Sequence, residues 1–259
     1  MKIYKEELSD VTRYIQNHKH FKLDHYEDSF KQLMKLIKKF KTIDHKTKIL
    51  EIGTGTGWFP VLCNMQGICC RGLEISPYLV DYAKNFGKTY GIKADIELGN
   101  IEETDIGDLK YDIIIASSVF EHVEHWQEGL KKAFKALKPK GLLYFYSTNK
   151  FSFKSGEYDF PLYGWMPNNW RYRLRISRQG DDIMKLGIDF NQFTHFQLES
   201  FFKKLGFSIV LDRLGLIDAD IISKHRLIKR IILQILRSCK LFKQLFLIFK
   251  PSTLFICVK

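Results

Sequence analysis

Three glycines beside an acidic residue form the most distinctive cluster in this 259-residue chain. Glu51 is followed at alternate positions by Gly53, Gly55 and Gly57. Glycines between a strand and a helix let the backbone turn tightly and let a ligand approach it closely. A dinucleotide-binding loop has its third glycine one residue later, where this chain has Trp58, so the spacing argues against a dehydrogenase-like nucleotide binder. Glu51 suits a ligand that carries a cationic centre.

Polar residues follow the next two apolar segments in a similar way. Glu74 ends the second segment, and a carboxylate at that place can accept both hydroxyls of a ribose. Asn100 and Ile101 follow the third segment, where an amide and an apolar side chain suit the edge and face of an adenine. If these segments are parallel strands, the residues meet at the carboxyl edge of one sheet, where open α/β folds bind ligands. The alternative is that Glu74 is an ordinary strand-end carboxylate and the glycines form only a tight turn.

The elements that would position these residues alternate between strands and helices. Strands are predicted at 48–52, 70–75, 94–98, 111–116, 141–148, 207–211 and 253–259, and helices at 77–90, 128–137 and 198–204. Ser76 and Pro77 form an N-cap and first-turn pair for one helix, and Thr194 begins a capping-box pattern for another. Strands separated by helices indicate βαβ units and a parallel sheet that is covered on both faces.

Five sequence blocks resemble the class I S-adenosylmethionine-dependent methyltransferases. They are ILEIGTGTG at 49–57, LEIS at 73–76, YDII at 111–114, VFEHV at 119–123 and LKPKGLL at 137–143. The resemblance implies an α/β, Rossmann-like fold with a seven-stranded sheet, an antiparallel last strand and helices on both faces. It also implies that S-adenosylmethionine is the cofactor and that a lid is inserted after the fifth strand.

The resemblance implies a role for each motif residue. The glycine loop would contact the methionine part of the cofactor, Glu74 the ribose, and Ser117 and Ser118 the sulfonium. Asn100 stands where the family more often has aspartate, but its carbonyl keeps an acceptor for the adenine amine. The predicted cofactor-binding residues are Glu51, Gly53, Thr54, Gly55, Gly57, Glu74, Ile75, Asn100, Ile101, Ser117 and Ser118.

Methyl transfer to a hydroxyl benefits from a general base, and His122 is the first candidate, with Glu121 beside it. The alternative is that this pair only packs the junction between strand and helix. The pair also resembles that of the quinone-biosynthesis O-methyltransferases, which carry a further acid three residues earlier, where a metal can be held. Ser118 occupies that position here, so no metal is predicted.

The chain is predicted to form a single methyltransferase domain over residues 1–259. Its parts are an N-terminal helical cap at 1–46, a cofactor-binding core at 48–150, a substrate lid at 150–193 and C-terminal helices and strands at 194–259. In the lid, Trp165, Trp170 and Arg171 offer aromatic and cationic surface for an acceptor. The alternative is an ordinary packed insertion with solvated arginines.

The net charge of +12 is concentrated in one segment. Residues 221–250 contain eight Lys or Arg and no acidic residue, and their spacing predicts a basic amphipathic helix before the last strand. Such a helix contacts an anionic membrane surface or packs on the domain, while nucleic acid is the less favoured partner. The five cysteines lack a CxxC pair and the first residues lack an apolar run. We therefore expect a cytoplasmic protein, peripheral at the inner membrane face if this helix binds lipid.

Together these patterns predict an S-adenosylmethionine-dependent methyltransferase that acts on a small or lipid-linked acceptor, at oxygen. Two alternatives stay open, an RNA methyltransferase and a catalytically idle cofactor-binding protein. RNA modification would favour positive charge around the mouth of the active site, whereas here most of the excess lies in residues 221–250.

Overall fold

We describe the protein from a computed structural model, which covers residues 9–154, 160–181, 191–217, 231, 234–236 and 238–259. Its sheet contains the strands β1 (Lys48–Ile52), β2 (Cys69–Glu74), β3 (Asp95–Leu98), β4 (Tyr111–Ser117), β5 (Leu137–Thr148), β6 (Ile209–Asp212) and β7 (Ser252–Val258). Their order is β3-β2-β1-β4-β5-β7-β6, and β7 runs antiparallel to both of its neighbours. The predicted seven-stranded sheet with an antiparallel last strand is confirmed.

The first five strands are parallel, so their carboxyl ends lie at one edge of the sheet. The register pairs Ile52 of β1 with Leu73 of β2 and with Ala116 of β4. The glycine loop after β1 therefore lies between Glu74 and Ser117, the last residues of those two strands. The central strands are apolar runs because both of their faces are covered.

Helices cover both faces of the sheet. Those with described bounds are α1 (Ser9–His18), α2 (Leu23–Lys38), α3 (Trp58–Met65), α4 (Pro77–Thr89), α5 (Trp126–Ala136), α6 (Asn168–Gln179), α7 (His195–Leu205) and α8 (Lys240–Ile248). Side chains of α2, α3 and α4 pack with Ile49, Ile113 and Ile115 in one core. Side chains of α5 and α7 pack with Leu50 and Ile52 in the other, as the alternation of strand side chains requires.

The junction between the glycine loop and α3 explains why Trp58 stands where a dinucleotide loop has glycine. The Trp58 ring stacks on Tyr26 of α2, with ring centroids 5.2 Å apart. Gly57 just before it has φ +77°, and a Cβ there would lie 2.6 Å from the Cβ of Ala83 on α4. The end of this loop is therefore shaped for packing between helices α2, α3 and α4.

Two predicted helix starts are confirmed in atomic detail. Ser76 is the N-cap of α4, and its hydroxyl accepts a hydrogen bond from the Leu79 backbone N–H at 3.4 Å. Thr194 is the N-cap of α7, and its hydroxyl accepts one from the Gln197 N–H at 3.1 Å. These short side chains satisfy backbone donors that the first helical turn leaves without partners.

Several predicted boundaries were wrong. The fifth strand begins at Leu137 rather than at residue 141, because Leu137 already pairs with Tyr111 ahead of a register shift. The sixth strand begins at Ile209 rather than at residue 207. The sequence of residues 150–193 shows no apolar periodicity that would predict a helix, yet α6 lies there. Its buried positions are Arg171 and Arg175, so a search for apolar periodicity could not detect the helix.

The basic segment is described only in part, because residues 218–230, 232, 233 and 237 lie outside the described ranges. In the described part, α8 buries Leu247 and exposes Leu241 and Phe242, and Phe249 directly after the helix is exposed too. The helical spacing predicts that Phe242, Phe246 and Phe249 share one apolar face; Phe246 packs beside Leu247, whereas Phe242 and Phe249 are exposed. Among the described residues, no helix is long and apolar enough to cross a bilayer.

Candidate active site

A cavity of about 500 Å³ lies at the carboxyl edge of the sheet. It brings together seven of the predicted site residues, namely Gly53, Gly55, Glu74, Ile75, Ser117, Ser118 and His122. They come from the ends of β1, β2 and β4, which the parallel register places side by side. A volume of this order suits a small ligand or cofactor.

The glycine loop forms one wall of the cavity through residues in the left-handed region. Gly53 has φ +70°, and a Cβ there would lie 2.6 Å from Cγ2 of Val119. Gly55 has φ +54°, and a Cβ there would lie 2.8 Å from the hydroxyl oxygen of Tyr14. Both positions therefore require glycine, for the backbone angle and for the close approach of a side chain.

The Glu74 carboxylate is buried and holds this loop in place. Its Oε2 accepts a hydrogen bond from the Gly55 N–H at 2.9 Å, and its Oε1 accepts one from the Ser76 N–H at 3.0 Å. Burial raises the pKa of Glu74, and the backbone N–H groups of Ser76, Gly55 and Ile75 partly oppose that rise. A carboxylate oxygen has more than one acceptor site, so the side chain can also receive ligand hydroxyls.

Glu51 lies behind the loop, outside the residues that line the cavity. It is buried, and its Oε2 accepts a hydrogen bond from the hydroxyl of Thr54, which is buried too. Burial raises the pKa of Glu51 to about 8, although the Thr54 hydroxyl opposes the rise. At neutral pH this carboxyl group is mainly protonated, so it stabilises the loop as a polar group without a full charge.

The opposite wall comes from the turn after β4. Ser118 has φ +52°, an uncommon angle for a residue with a side chain, and its N–H donates to the Tyr146 carbonyl at 2.9 Å. His122 lies in the short 3₁₀ helix Phe120–His122 and lines the cavity. The side chain of Glu121 points the other way, where its buried Oε2 accepts from the Ser147 hydroxyl at 2.6 Å.

The two residues predicted to frame the adenine, Asn100 and Ile101, are not among the residues that line the cavity. Asn100 is buried, and its Oδ1 accepts from the Glu102 N–H at 2.9 Å. Ile101 packs in the core beside α5, where it lies close to Gly129. Thr54 and Gly57 likewise support the loop from behind rather than line the cavity.

Two walls of the cavity come from helix residues that the sequence did not single out. Val11, Arg13, Tyr14 and Asn17 line it from α1, and Arg175 and Gln179 line it from α6. By contrast, Trp165, Trp170 and Arg171 are not among the lining residues. Trp170 is 62% exposed, and Trp165 donates its indole N–H to the Ser152 carbonyl at 3.2 Å. No sequence signal pointed to α1, because a polar helix with one Arg-Tyr pair resembles a solvated surface helix.

The described residues contain no group of three or more His, Cys, Asp or Glu side chains that could hold a metal ion. Ser118, which the sequence compared with the acid position of the quinone-biosynthesis motif, is among the residues that line the cavity. What the cavity offers is therefore a carboxylate, glycine backbone, hydroxyl groups, an imidazole and two guanidinium groups.

Comparison with known proteins identifies the family. The profile of the methyltransferase domain family matches residues 23–211, which is most of the chain. The chain belongs to this family. The resemblance drawn from the five motifs is thus confirmed.

More specific relatives share only part of the chain. The ubiquinone biosynthesis O-methyltransferase of Rickettsia bellii is 30% identical over 128 residues, 47% of this chain and 52% of that protein. The ubiquinone biosynthesis O-methyltransferase of Coxiella burnetii is 28% identical over 102 residues, which are 39% of this chain and 44% of that protein. The chain spans about half the length of the curated relatives it matches.

Among solved structures, an S-adenosylmethionine-dependent methyltransferase of Archaeoglobus fulgidus aligns with a TM-score of 0.55 at 18% identity, over 90% of this chain and 94% of that one. This last similarity shows the fold.

The cavity of this methyltransferase domain fits the cofactor that the family implies. Gly53 and Gly55 line the cavity with backbone, on which the methionine part would lie. Glu74, fixed by two backbone donors, would accept the ribose hydroxyls. The charged group of Arg13 would suit the methionine carboxylate.

The buried Glu51 generates a prediction about pH and stability. Its pKa is about 8 in the folded chain against an ordinary value of 4.5. Between these values the unfolded chain releases a proton that the folded chain keeps, so stability should fall as pH rises through this window. We expect Glu51→Gln to remove this loss. The free energies of unfolding of the variant and of the parent protein are measured by urea titration. As pH rises, their difference should grow in favour of the variant by up to ~1.4 kcal/mol per pH unit.

Glu128→Gln is the matched control for that measurement. Glu128 is exposed on α5, where the Lys131 ammonium lowers its pKa, so this variant should show no gain toward high pH. If the unfolding free energies of Glu51→Gln and the parent protein run parallel from pH 5 to pH 9, Glu51 ionises without penalty and the burial argument is wrong.

Proposed function

We propose that this chain transfers a methyl group from S-adenosylmethionine to a hydroxyl group of a small or lipid-linked acceptor. The observation that carries the proposal is the fixed contact between Glu74 and Gly55 at the edge of the cavity, a carboxylate poised for a ribose beside a backbone open to the methionine part. S-adenosylmethionine supplies a methyl group on a positively charged sulfur. The protein residues then need to bind, orient and exclude water. Ubiquinone O-methyltransferases among the partial relatives support oxygen as the acceptor atom.

His122 is the residue that we assign to the acceptor proton. It lines the cavity beside Ser117 and Ser118, where the methyl donor would lie, and a neutral imidazole accepts a proton near neutral pH. Glu121 is a positioning residue in this proposal. Its hydrogen bond to Ser147 fixes the short 3₁₀ helix to β5, and that helix carries His122.

We further infer that α8 rests on an anionic membrane surface. Leu241 and Phe249 of this region are 62% and 61% exposed, and Phe242 and Leu245 are exposed between them. The C-terminal end of α8 is fixed to the domain, because the Asn149 amide donates to the carbonyls of Leu247, Ile248 and Lys250 at 2.7–3.0 Å. An anchored helix with an outward apolar face, in a segment without acidic residues, fits the interface of an anionic bilayer.

Binding of S-adenosylhomocysteine tests the cofactor assignment. By calorimetry the parent protein should bind it, and Glu74→Gln should weaken binding by about 1.5–3 kcal/mol, roughly 10- to 150-fold, because hydrogen bonds to a charged acceptor are lost. Glu97→Gln is the control, since that carboxylate lies on the adjacent strand and pairs with Arg71. No binding by the parent protein would sink the proposed function, and an unchanged Glu74→Gln would remove Glu74 from the site.

The role of His122 is tested with methyl-labelled cofactor and a cell extract separated into small-molecule, lipid and RNA fractions. His122→Gln should lower transfer by roughly 10²- to 10⁴-fold, and its residual rate should rise with pH as the acceptor ionises unaided. Its affinity for S-adenosylhomocysteine should not change. His125→Gln, at an exposed neighbouring position, should transfer as the parent does. Label only in RNA would contradict the small-acceptor proposal, and binding without any transfer would indicate an idle cofactor-binding protein.

Sedimentation with vesicles tests membrane contact. The parent protein should pellet with phosphatidylglycerol vesicles more than with phosphatidylcholine vesicles, and added salt should weaken the difference. The double variant Leu241→Glu, Phe242→Glu should stay in the supernatant, since it places charge on the apolar face of α8. Met65→Glu, at an exposed apolar position at the end of α3, is the control. Equal pelleting of parent and double variant would refute membrane contact through α8.

A further inference from the structure

A second cavity, of about 380 Å³, lies at the base of the insertion between β5 and α7. Phe151 and Thr194 line it from the two ends of the insertion, and Leu247 and Ile248 line it from α8. None of its described lining residues also lines the cavity at the glycine loop. It is therefore a separate space, and its size is within the range of small-molecule sites.

His195, the first residue of α7, is a buried polar side chain in the wall of this second cavity. It is 6% exposed, and neither ring nitrogen makes a hydrogen bond of ordinary geometry with any residue that the structure describes, although the Ser252 backbone lies near the ring. Burial lowers the pKa of His195 to about 4, while the Asp212 carboxylate opposes that shift. At neutral pH the ring is therefore uncharged and has one N–H donor and one acceptor to offer.

Asn149 adds a second buried polar atom in the same wall. Its amide nitrogen donates to the end of α8, whereas its Oδ1 has no hydrogen-bond partner in the part of the chain that the structure describes. The residue is 2% exposed and lines the cavity. Buried polar atoms are rarely left unpaired, so a donor such as a hydroxyl group fits between the amide oxygen and the imidazole.

The charged side chains among the described lining residues already have partners. The Lys243 ammonium lies 3.6 Å from a Glu199 oxygen and 2.5 Å from an Asp212 oxygen. The rest of the described lining is largely apolar and consists of Phe151, Phe196, Leu247 and Ile248, with Thr194 and Gln244 at its margin. A charged ligand buried here would lose hydration without gaining a new partner of opposite charge, so an uncharged ligand fits better.

We propose that this second cavity binds an uncharged lipid through a hydroxyl group. The hydroxyl would donate to Asn149 Oδ1 or pair with the His195 ring, and the apolar chain would lie against α8. The outer side of α8 exposes Leu241 and Phe242, so the helix that would rest on a membrane also forms a wall of this cavity. The proposal goes beyond methyl transfer, because it needs neither the cofactor nor the residues of the first cavity.

Probes of matched chain length test the proposal. 1-Octanol, its isomer heptyl methyl ether, octanoate and octylamine are titrated into the full chain by calorimetry at neutral pH. 1-Octanol should bind saturably and roughly 2- to 10-fold more tightly than the ether, which accepts a hydrogen bond but cannot donate one. The two charged probes should bind more weakly than 1-octanol.

Two variants locate the site. His195→Phe keeps a ring and removes both nitrogens, so it should weaken 1-octanol by roughly 2- to 10-fold and leave the ether unchanged. Gln244→Trp places a large ring at a half-buried lining position and should abolish saturable binding of every probe, which keeps the test decisive if His195→Phe proves unstable.

Two further variants are controls. His125→Phe makes the same exchange at an exposed position and should bind 1-octanol as the parent does. The double variant Leu241→Glu, Phe242→Glu changes only the outer side of α8, so it should also keep this binding.

Several outcomes would overturn the proposal. Absence of saturable 1-octanol binding would leave the cavity to water, and unchanged binding by Gln244→Trp would place the probe elsewhere. Equal affinities for the alcohol and the ether would refute recognition of a hydroxyl group, and tighter binding of octanoate or octylamine would refute an uncharged ligand. Failure of the methyltransferase proposal is a separate result, because it is read from binding of S-adenosylhomocysteine.

Discussion

The cavity depends on one buried carboxylate that joins the ends of two parallel strands. Glu74 accepts hydrogen bonds from the N–H groups of Gly55 and Ser76, and the Gly53 N–H donates to the Leu73 carbonyl at 2.8 Å. A buried charge is costly unless donors surround it, and here the donors belong to the loop that forms the cavity. The same contact begins α4, because Ser76 is its N-cap. The Glu74 carboxylate thus fixes the shape of the glycine loop, the start of α4 and the position of the group that would accept ligand hydroxyls.

A second layer behind the loop keeps this arrangement rigid. Thr54 donates its hydroxyl to Glu51, and a Cβ at Gly72 on the neighbouring strand would lie 2.8 Å from the Thr54 oxygen. Glu51, Thr54 and Gly72 therefore fill the space between β1 and β2, and larger side chains at these positions would push the two strands apart. Because Glu51 is mainly protonated at neutral pH, the layer avoids repulsion between two carboxylates in a buried region.

The sequence predicts this half of the site well, because its residues follow strand ends and local rules fix them. Gly53, Gly55, Glu74 and Ser117 all come within a few residues of a recognisable strand, and parallel pairing brings them together. The walls from α1 and α6 could not be found in this way, since they reach the cavity through tertiary packing. In α6 the buried positions are arginines, so the usual relation between burial and apolar character is reversed. Motif order predicts Asn100 near the adenine, and in the structure its side-chain oxygen accepts a hydrogen bond from the Glu102 N–H.

The insertion between β5 and α7 is joined to the rest of the protein by an asparagine close to each end. At one end, the Asn149 amide donates to the carbonyls of Leu247, Ile248 and Lys250 at the end of α8. At the other end, the Asn191 amide donates to the carbonyls of Phe120 and Val123 at 3.2 and 2.6 Å, on either side of His122. The helix with the exposed apolar face and the turn with the candidate base are therefore fixed to opposite ends of one insertion. Arg175 lies between these two attachments. The insertion therefore carries α6, one wall of the cavity, between its two attachments to the domain.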